Sequence, residues 1–200
     1  INSANIVDGS IGDADINNLA ASKLTGALPA ISGASLTNLP SGGKILQVVS
    51  TTKTNQYSET IASAATGGDI TGLTVSITPS NANNKILLTC TLSTSSTPLG
   101  FSFYKASSIL SGAIGDADGS RVRVTSEYDG GGYHCRANTI HYLDTAGGTS
   151  AITYSIRIFN STAYSQLAIV NYNSSARSAL GAGSSDYAGM STITAMEVAA

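Results

Sequence analysis

Cleavage of a glycan chain needs two carboxyl groups a few ångströms apart, one to deliver a proton and one to act as base or nucleophile. The glutamates of this chain are Glu59, Glu127 and Glu197, and none sits in a spacing that sets up such a pair. Asp116, Asp118, Asp129, Asp144 and Asp186 fall in turn-like contexts. The chain contains no G-x-S-x-G elbow and no H-E-x-x-H pair. His134, Cys135 and His141 bring two imidazoles and a thiol close in sequence. Seven residues apart on one strand, however, the histidines point to opposite faces, and structural or surface roles are expected for them.

The segment Gly115-Asp116-Ala117-Asp118-Gly119-Ser120 has the Asp-x-Asp-Gly core of a calcium loop. Counted from Asp116, Ser120 and Glu127 occupy the fifth and twelfth ligand positions. The sixth position, where the loop turns sharply and needs Gly, is Arg121, so a plain turn is expected. Cys90 and Cys135 have no CxxC spacing and form no zinc site by themselves; buried free thiols are favoured over a bridge. Asn160-Ser161-Thr162 and Asn173-Ser174-Ser175 match the glycosylation sequon but read better as hairpin turns. No catalytic residue, metal or cofactor is expected, and the chain does not read as an enzyme.

The elements that would position any site are strands. Residues 45–49 open the pattern, 73–77 alternate strictly before Pro79, and 101–103, 122–124, 152–158 and 167–170 alternate as well. Residues 86–92 are more continuously apolar, as in a central strand covered on both faces, and 193–198 close the series. About nine short strands punctuated by Gly, Asn, Asp and Ser leave no room for a substantial helix. The expected fold is all-β: an antiparallel, jelly-roll-like β-sandwich spanning residues 44–200.

Residues 1–43 are organised differently. Ile1, Ile6, Ile11 and Ile16 recur every five residues, a period that is neither helical nor a strand alternation. The row drifts through Leu19, Leu24 and Leu28, resumes in residues 31–40, and stops at Pro40-Ser41-Gly42-Gly43, where a domain boundary is expected. A single chain cannot enclose such a row, so a disordered leader is disfavoured against an extended shaft wound from three copies. Ile1, Ile6, Ile11, Ile16, Leu19 and Leu24 would be its trimerisation residues.

Composition narrows the partners. Charged residues make up only 11% of the chain, against about 25% in ordinary domains. The formal charge is -2 and the ten basic residues are scattered from Lys23 to Arg177, which disfavours nucleic acid. No apolar run reaches the length of about eighteen residues that a membrane helix needs. Residues 1–20 lack the basic start and apolar middle of a signal peptide, so a soluble chain without membrane insertion is expected.

The stretch Ser35-Leu36-Thr37-Asn38-Leu39-Pro40-Ser41-Gly42-Gly43-Lys44-Ile45-Leu46-Gln47-Val48-Val49 resembles the shaft-to-head junction of tail-fibre proteins from marine bacteriophages, notably those infecting cyanobacteria. Residues 73–80, 84–87, 115–117, 120–121 and 191–198 are similar too, and they follow one another in the right order. The resemblance implies a homotrimer in the virion tail fibre. Its head would attach to a host-cell surface glycan such as lipopolysaccharide or to another outer-membrane receptor, and other tail proteins would join on the N-terminal side. It carries no catalytic motif, and the long parallel β-helix of fibre depolymerases would not fit in this length. A purely structural virion component, a connector or a capsid decoration, is the alternative.

A glycan-binding head needs an aromatic face with amide and carboxylate partners, mostly on loops. The best such patch is Glu127, Tyr128, Asp129, Tyr133 and His134 around the Gly130-Gly131-Gly132 bend. A second is the Gly/Ser/Ala-rich stretch holding Arg177, Asp186 and Tyr187. The competing reading of these tyrosines is as half-buried strand or interface residues.

Overall fold

The computed structural model describes residues 44–94, 99–128, 135–172 and 188–200. The expected shaft, with Ile1, Ile6, Ile11, Ile16, Leu19 and Leu24, lies outside the described residues. So does the second sequon, Asn173-Ser174-Ser175.

The chain is all-β. Its strands are β1 (Ile45–Lys53), β2 (Tyr57–Ile61), β3 (Ala65–Ile77), β4 (Lys85–Thr94), β5 (Leu99–Lys105), β6 (Ser108–Ile109), β7 (Ser126–Tyr128), β8 (Arg136–Thr145), β9 (Ile152–Asn160), β10 (Gln166–Val170) and β11 (Ser191–Val198). Among the described residues the only helical element is a 3-10 turn, Ser111–Ala113. Every pairing between these strands is antiparallel. One sheet runs β1-β11-β4-β10-β2, with β8 along the other edge of β4; the second runs β3-β9-β5, with β6 and β7 along the far edge of β5.

Period-two alternation sets the inward faces. On β4, Ile86, Leu88, Cys90 and Leu92 are fully buried; Ile193 and Ala195 on β11 and Ile140 on β8 join them from neighbouring strands. The second sheet supplies Leu73, Val75, Ile77, Phe101, Phe103, Tyr154, Ile156 and Ile158 to the same continuous core. Full burial of each Ile, Leu or Phe is worth about 1.5–3 kcal/mol, so these facing rows fix strand register as well as stability.

Polar anchors hold the strand ends. Glu197, fully buried at the end of β11, accepts from Gln47 Nε2 on β1 (2.6 Å) through one oxygen. The other oxygen accepts from Ser80 N (2.7 Å), Ser80 Oγ (2.8 Å) and Asn84 Nδ2 (2.6 Å) in the β3–β4 turn. Burial alone would raise this carboxyl's pKa, but the donors from Asn84, Gln47 and Ser80 outweigh it and hold the value down to about 2. Asn171, also fully buried and at φ 71°, ties β1 to β11: its Nδ2 donates to the Lys53 carbonyl (2.8 Å), and its Oδ1 accepts from Ser191 Oγ (2.6 Å).

Several expectations change. Residues 122–124 form no strand: Arg123 Nε donates to the Gly115 carbonyl (2.5 Å), and Gly115 N to that of Val124 (3.3 Å), which fixes the segment as a loop over β5. β4 is central, yet among the described residues only its inner face is buried along its whole length; Leu87 on the other is half-buried. Asp144 lies in β8 rather than in a turn, accepting from Lys105 Nζ and Tyr154 OH at 2.8 Å each. The Asp116–Ser120 region does form a turn, with Gly119 at φ 57° and Asp118 paired to Arg121 Nε at 3.1 Å. Asn160 also turns the chain, since its Oδ1 accepts from Thr162 N (2.9 Å) and its Nδ2 donates to the Tyr164 carbonyl (2.8 Å). Cys90 and Cys135 are both free thiols, but only Cys90 is buried; Cys135 is half-buried just before β8.

Candidate functional site

The three glutamates separate once the fold is built. Glu197 is consumed by its buried donors. Glu59, on β2, accepts from Tyr57 OH at 2.5 Å and from Gly68 N at 3.1 Å, and a Cβ at Gly67 would stand 2.6 Å from its carboxylate, so this group braces the β2–β3 bend. Glu127 is different: it is exposed on β7 and lines a cleft of about 440 Å³ on the outer side of the second sheet.

The cleft is assembled from three pieces of chain. The strand ends supply its floor: Phe159 on β9, and β5 at Leu99, whose side chain itself belongs to the core. The loop after the Asp116–Ser120 turn supplies a wall containing Arg121, Val122 and Val124. Ser161, in the turn capped by Asn160, and Ser120 add hydroxyls at the rim. The wall lies close to the sheet because Gly100 has no side chain: a Cβ there would stand 2.5 Å from Val124 Cγ1. Thr125 N donates to the Phe101 carbonyl (2.9 Å), which leads the loop into β7 and puts Glu127 opposite Gly100.

Beside the cleft, on the same outer face of the sheet, neighbouring side chains fix Phe159. Its ring stacks with Tyr104 (centroids 6.3 Å apart, 27° between planes), and the Arg157 guanidinium lies 4.4 Å from the Tyr104 centroid. Arg157 Nε donates to Asp69 Oδ1 at 2.8 Å, and Ser155 Oγ to the same oxygen at 2.7 Å. Hydrogen bonding from Arg157 is the main reason the Asp69 pKa is lowered, with Ser155 assisting against the opposing effect of burial. The same bond raises Arg157, and burial raises Tyr104. The row Asp69–Arg157–Tyr104–Phe159 therefore acts as a fixed brace across three strands.

Chemically the cleft offers an apolar floor, one carboxylate, two hydroxyls and a guanidinium whose Nε already bonds Asp118 but whose terminal N–H groups offer further donors. This set suits recognition of a polyhydroxylated, partly apolar ligand through hydrogen bonds and C–H contacts. Among the described residues, no group of three or more His, Cys, Asp or Glu is placed to hold a metal ion.

Of the residues singled out by sequence, Glu127 lines the cleft, and the Tyr128 backbone pairs with Leu99 beside it. Asp129, Tyr133 and His134 lie outside the described residues, as do Arg177, Asp186 and Tyr187. His141 is exposed on β8, paired across the first sheet with Thr89. Sequence reasoning missed Arg121, Val122, Phe159 and Ser161. The available signals were the two turns, Asp116–Ser120 and Asn160–Thr162, each of which delivers a cleft residue immediately beside it.

No protein-family model matches the chain, and no curated protein matches it.

Proposed function

We propose that this chain is the distal region of a bacteriophage tail fibre: a trimeric extended shaft in residues 1–43, then a jelly-roll-like β-sandwich head in residues 44–200 that attaches the virion to a host-surface glycan. The likeness of residues 35–49 and the later segments to marine-phage fibres supports the assignment. The all-β fold with its two antiparallel sheets is compatible with such a head. The observation that carries the binding role is the cleft. It joins an aromatic floor braced from beside by Tyr104 to Glu127 on β7 and a loop wall bearing Arg121.

Each cleft is shallow in polar contacts, so a single site would bind weakly. Three copies on one fibre, and several fibres on one particle, would reach useful avidity without a tight individual site. The chain acts by binding rather than by bond cleavage in this reading, with no cofactor.

The test is a screen of the full chain against immobilised bacterial lipopolysaccharides and capsular polysaccharides, with Glu127→Gln and Arg121→Ala alongside. Retention of the parent on one glycan class, reduced at least five-fold in both variants with unchanged far-UV circular dichroism, supports the reading. Parent binding that both variants preserve would remove the cleft from the account. Absence of glycan binding, together with capture of the head by another virion protein, would favour a purely structural component.

A further inference from the structure

We propose that the solvent side of the first sheet, at the end where β1 begins, is a contact surface between copies of this chain that joins the heads to one another. The inference rests on the trimeric-fibre reading and adds to it a second interface, outside the shaft.

The surface is written in the strand register. Val48 on β1 pairs with Met196 on β11, Met196 with Leu87 on β4, and Leu87 with Leu143 on β8. These four side chains make an unbroken apolar row across four strands on the face away from the core. Val48 is 55% exposed and Leu143 51%, and Leu87 and Met196 are half-buried. A register shift between Ile45 and Gln47 widens the row, leaving both Ile45 and Leu46 exposed beside Val198. The next row along the same face is polar, Ser50-Thr194-Thr89-His141, so the apolar character is confined to the end nearest Lys44.

Isolated exposed apolar residues need no explanation, but a register-aligned row of them does. β1 adds a second reason. It pairs only with β11, so its other edge has no partner strand among the described elements. Residues 45–52 carry no charge that would keep a foreign strand away. An edge that is apolar and uncharged invites uncontrolled association unless something specific covers it.

The chain's own connectivity selects a second copy as the cover. Residues 40–43 separate the last apolar residue of the shaft row, Leu39, from Lys44, and four residues span at most about 14 Å. Three chains wound together up to Leu39 would thus hold three copies of this row within a short tether of each other, at an effective concentration on the order of millimolar. The apolar row itself carries no charge; Lys85, in the adjoining row beside Val198, donates its Nζ to Thr145 Oγ1 at 2.8 Å, and a heterologous contact centred on the apolar row closes into a ring.

The test uses the full chain. Light scattering gives the mass and the concentration at which the oligomer dissociates for the parent and for Val48→Glu with Leu143→Glu. In parallel, Leu143→Cys and Tyr164→Cys are labelled with a maleimide and quantified by peptide mass spectrometry; Tyr164 is 77% exposed on the β9–β10 turn, away from this face. The proposal predicts a trimeric parent, dissociation of the double variant at ten-fold or more higher concentration, and labelling at 143 at least ten-fold slower than at 164. A trimeric parent with equal labelling at both positions overturns the head contact while leaving the shaft reading standing. A monomeric parent overturns both. If the double variant does not fold, the labelling comparison alone decides.

Discussion

Replacing Glu197 by Gln converts a buried anion into a neutral amide of nearly the same shape, and the structure sets the size of the effect. The folded carboxyl titrates at about 2 against an ordinary value of 4.5. At about 1.36 kcal/mol per pH unit, its ionised form contributes on the order of 3 kcal/mol to stability at neutral pH. Because the folded pKa is depressed, this contribution is fully present above pH 4.5 and is lost as pH falls toward 2. In Glu197→Gln the amide oxygen can still accept from Ser80 and Asn84, but its NH₂ faces Gln47 Nε2, donor against donor. Gln47 relieves part of that conflict because it also donates to the Thr78 carbonyl at 2.7 Å. The variant should therefore be less stable by about 2–3 kcal/mol at pH 7. Urea unfolding of both proteins at pH 7, 5, 4 and 3 measures the gap. Asp69, whose pKa is also lowered, gives both proteins a common loss in acid, so the informative quantity is their difference. It should stay constant from pH 7 to 5 and narrow progressively below. A gap that does not change between pH 7 and 3, or no gap at pH 7, would refute the reasoning.

Two further outcomes follow from close packing and burial. Gly100→Ala should destabilise the protein by about 1–3 kcal/mol through overlap with Val124. Adding Val124→Ala should recover most of that loss, so a double-mutant cycle by chemical denaturation that shows simple additivity would contradict the geometry of the cleft wall. Cys90, fully buried and with its thiol pKa pushed up to about 12 by burial, should resist alkylation at pH 8 in the folded protein, whereas half-buried Cys135 reacts. Peptide mapping after a timed iodoacetamide pulse checks this, and equal modification at both positions would contradict it.

Residues whose neighbours along the chain decide their fate were legible in the sequence. The alternation in residues 73–77, 152–158 and 193–198 marks β3, β9 and β11 because one face of each strand is buried in a common core. β8 was opaque for the converse reason: between Arg136 and Thr145 only Ile140 is buried, and the strand forms by pairing along β4 rather than by its own apolar face. Residues 122–124 alternate like a strand, yet they meet Gly100 and Gly115 instead of a sheet edge, and nothing local encodes that meeting. The cleft was half legible. Glu127 stood out as a carboxylate in a Gly/Tyr-rich stretch, while Phe159 and Ser161 reach it from distant positions that only the β5–β9 pairing brings together, and Arg121 reaches it through the fold of its loop over Gly100. The apolar continuity of residues 86–92 pointed to two covered faces. Among the described residues only one is covered, and Leu87 on the other stays half-buried.

The trimeric fibre is the claim on which the binding and contact proposals both stand, and the mass of the purified full chain in solution tests it most directly. Light scattering should give close to three times 20.2 kDa for residues 1–200, with dissociation at markedly lower dilution when residues 1–43 are removed. A full chain that remains at 20.2 kDa at concentrations of tens of micromolar would contradict it.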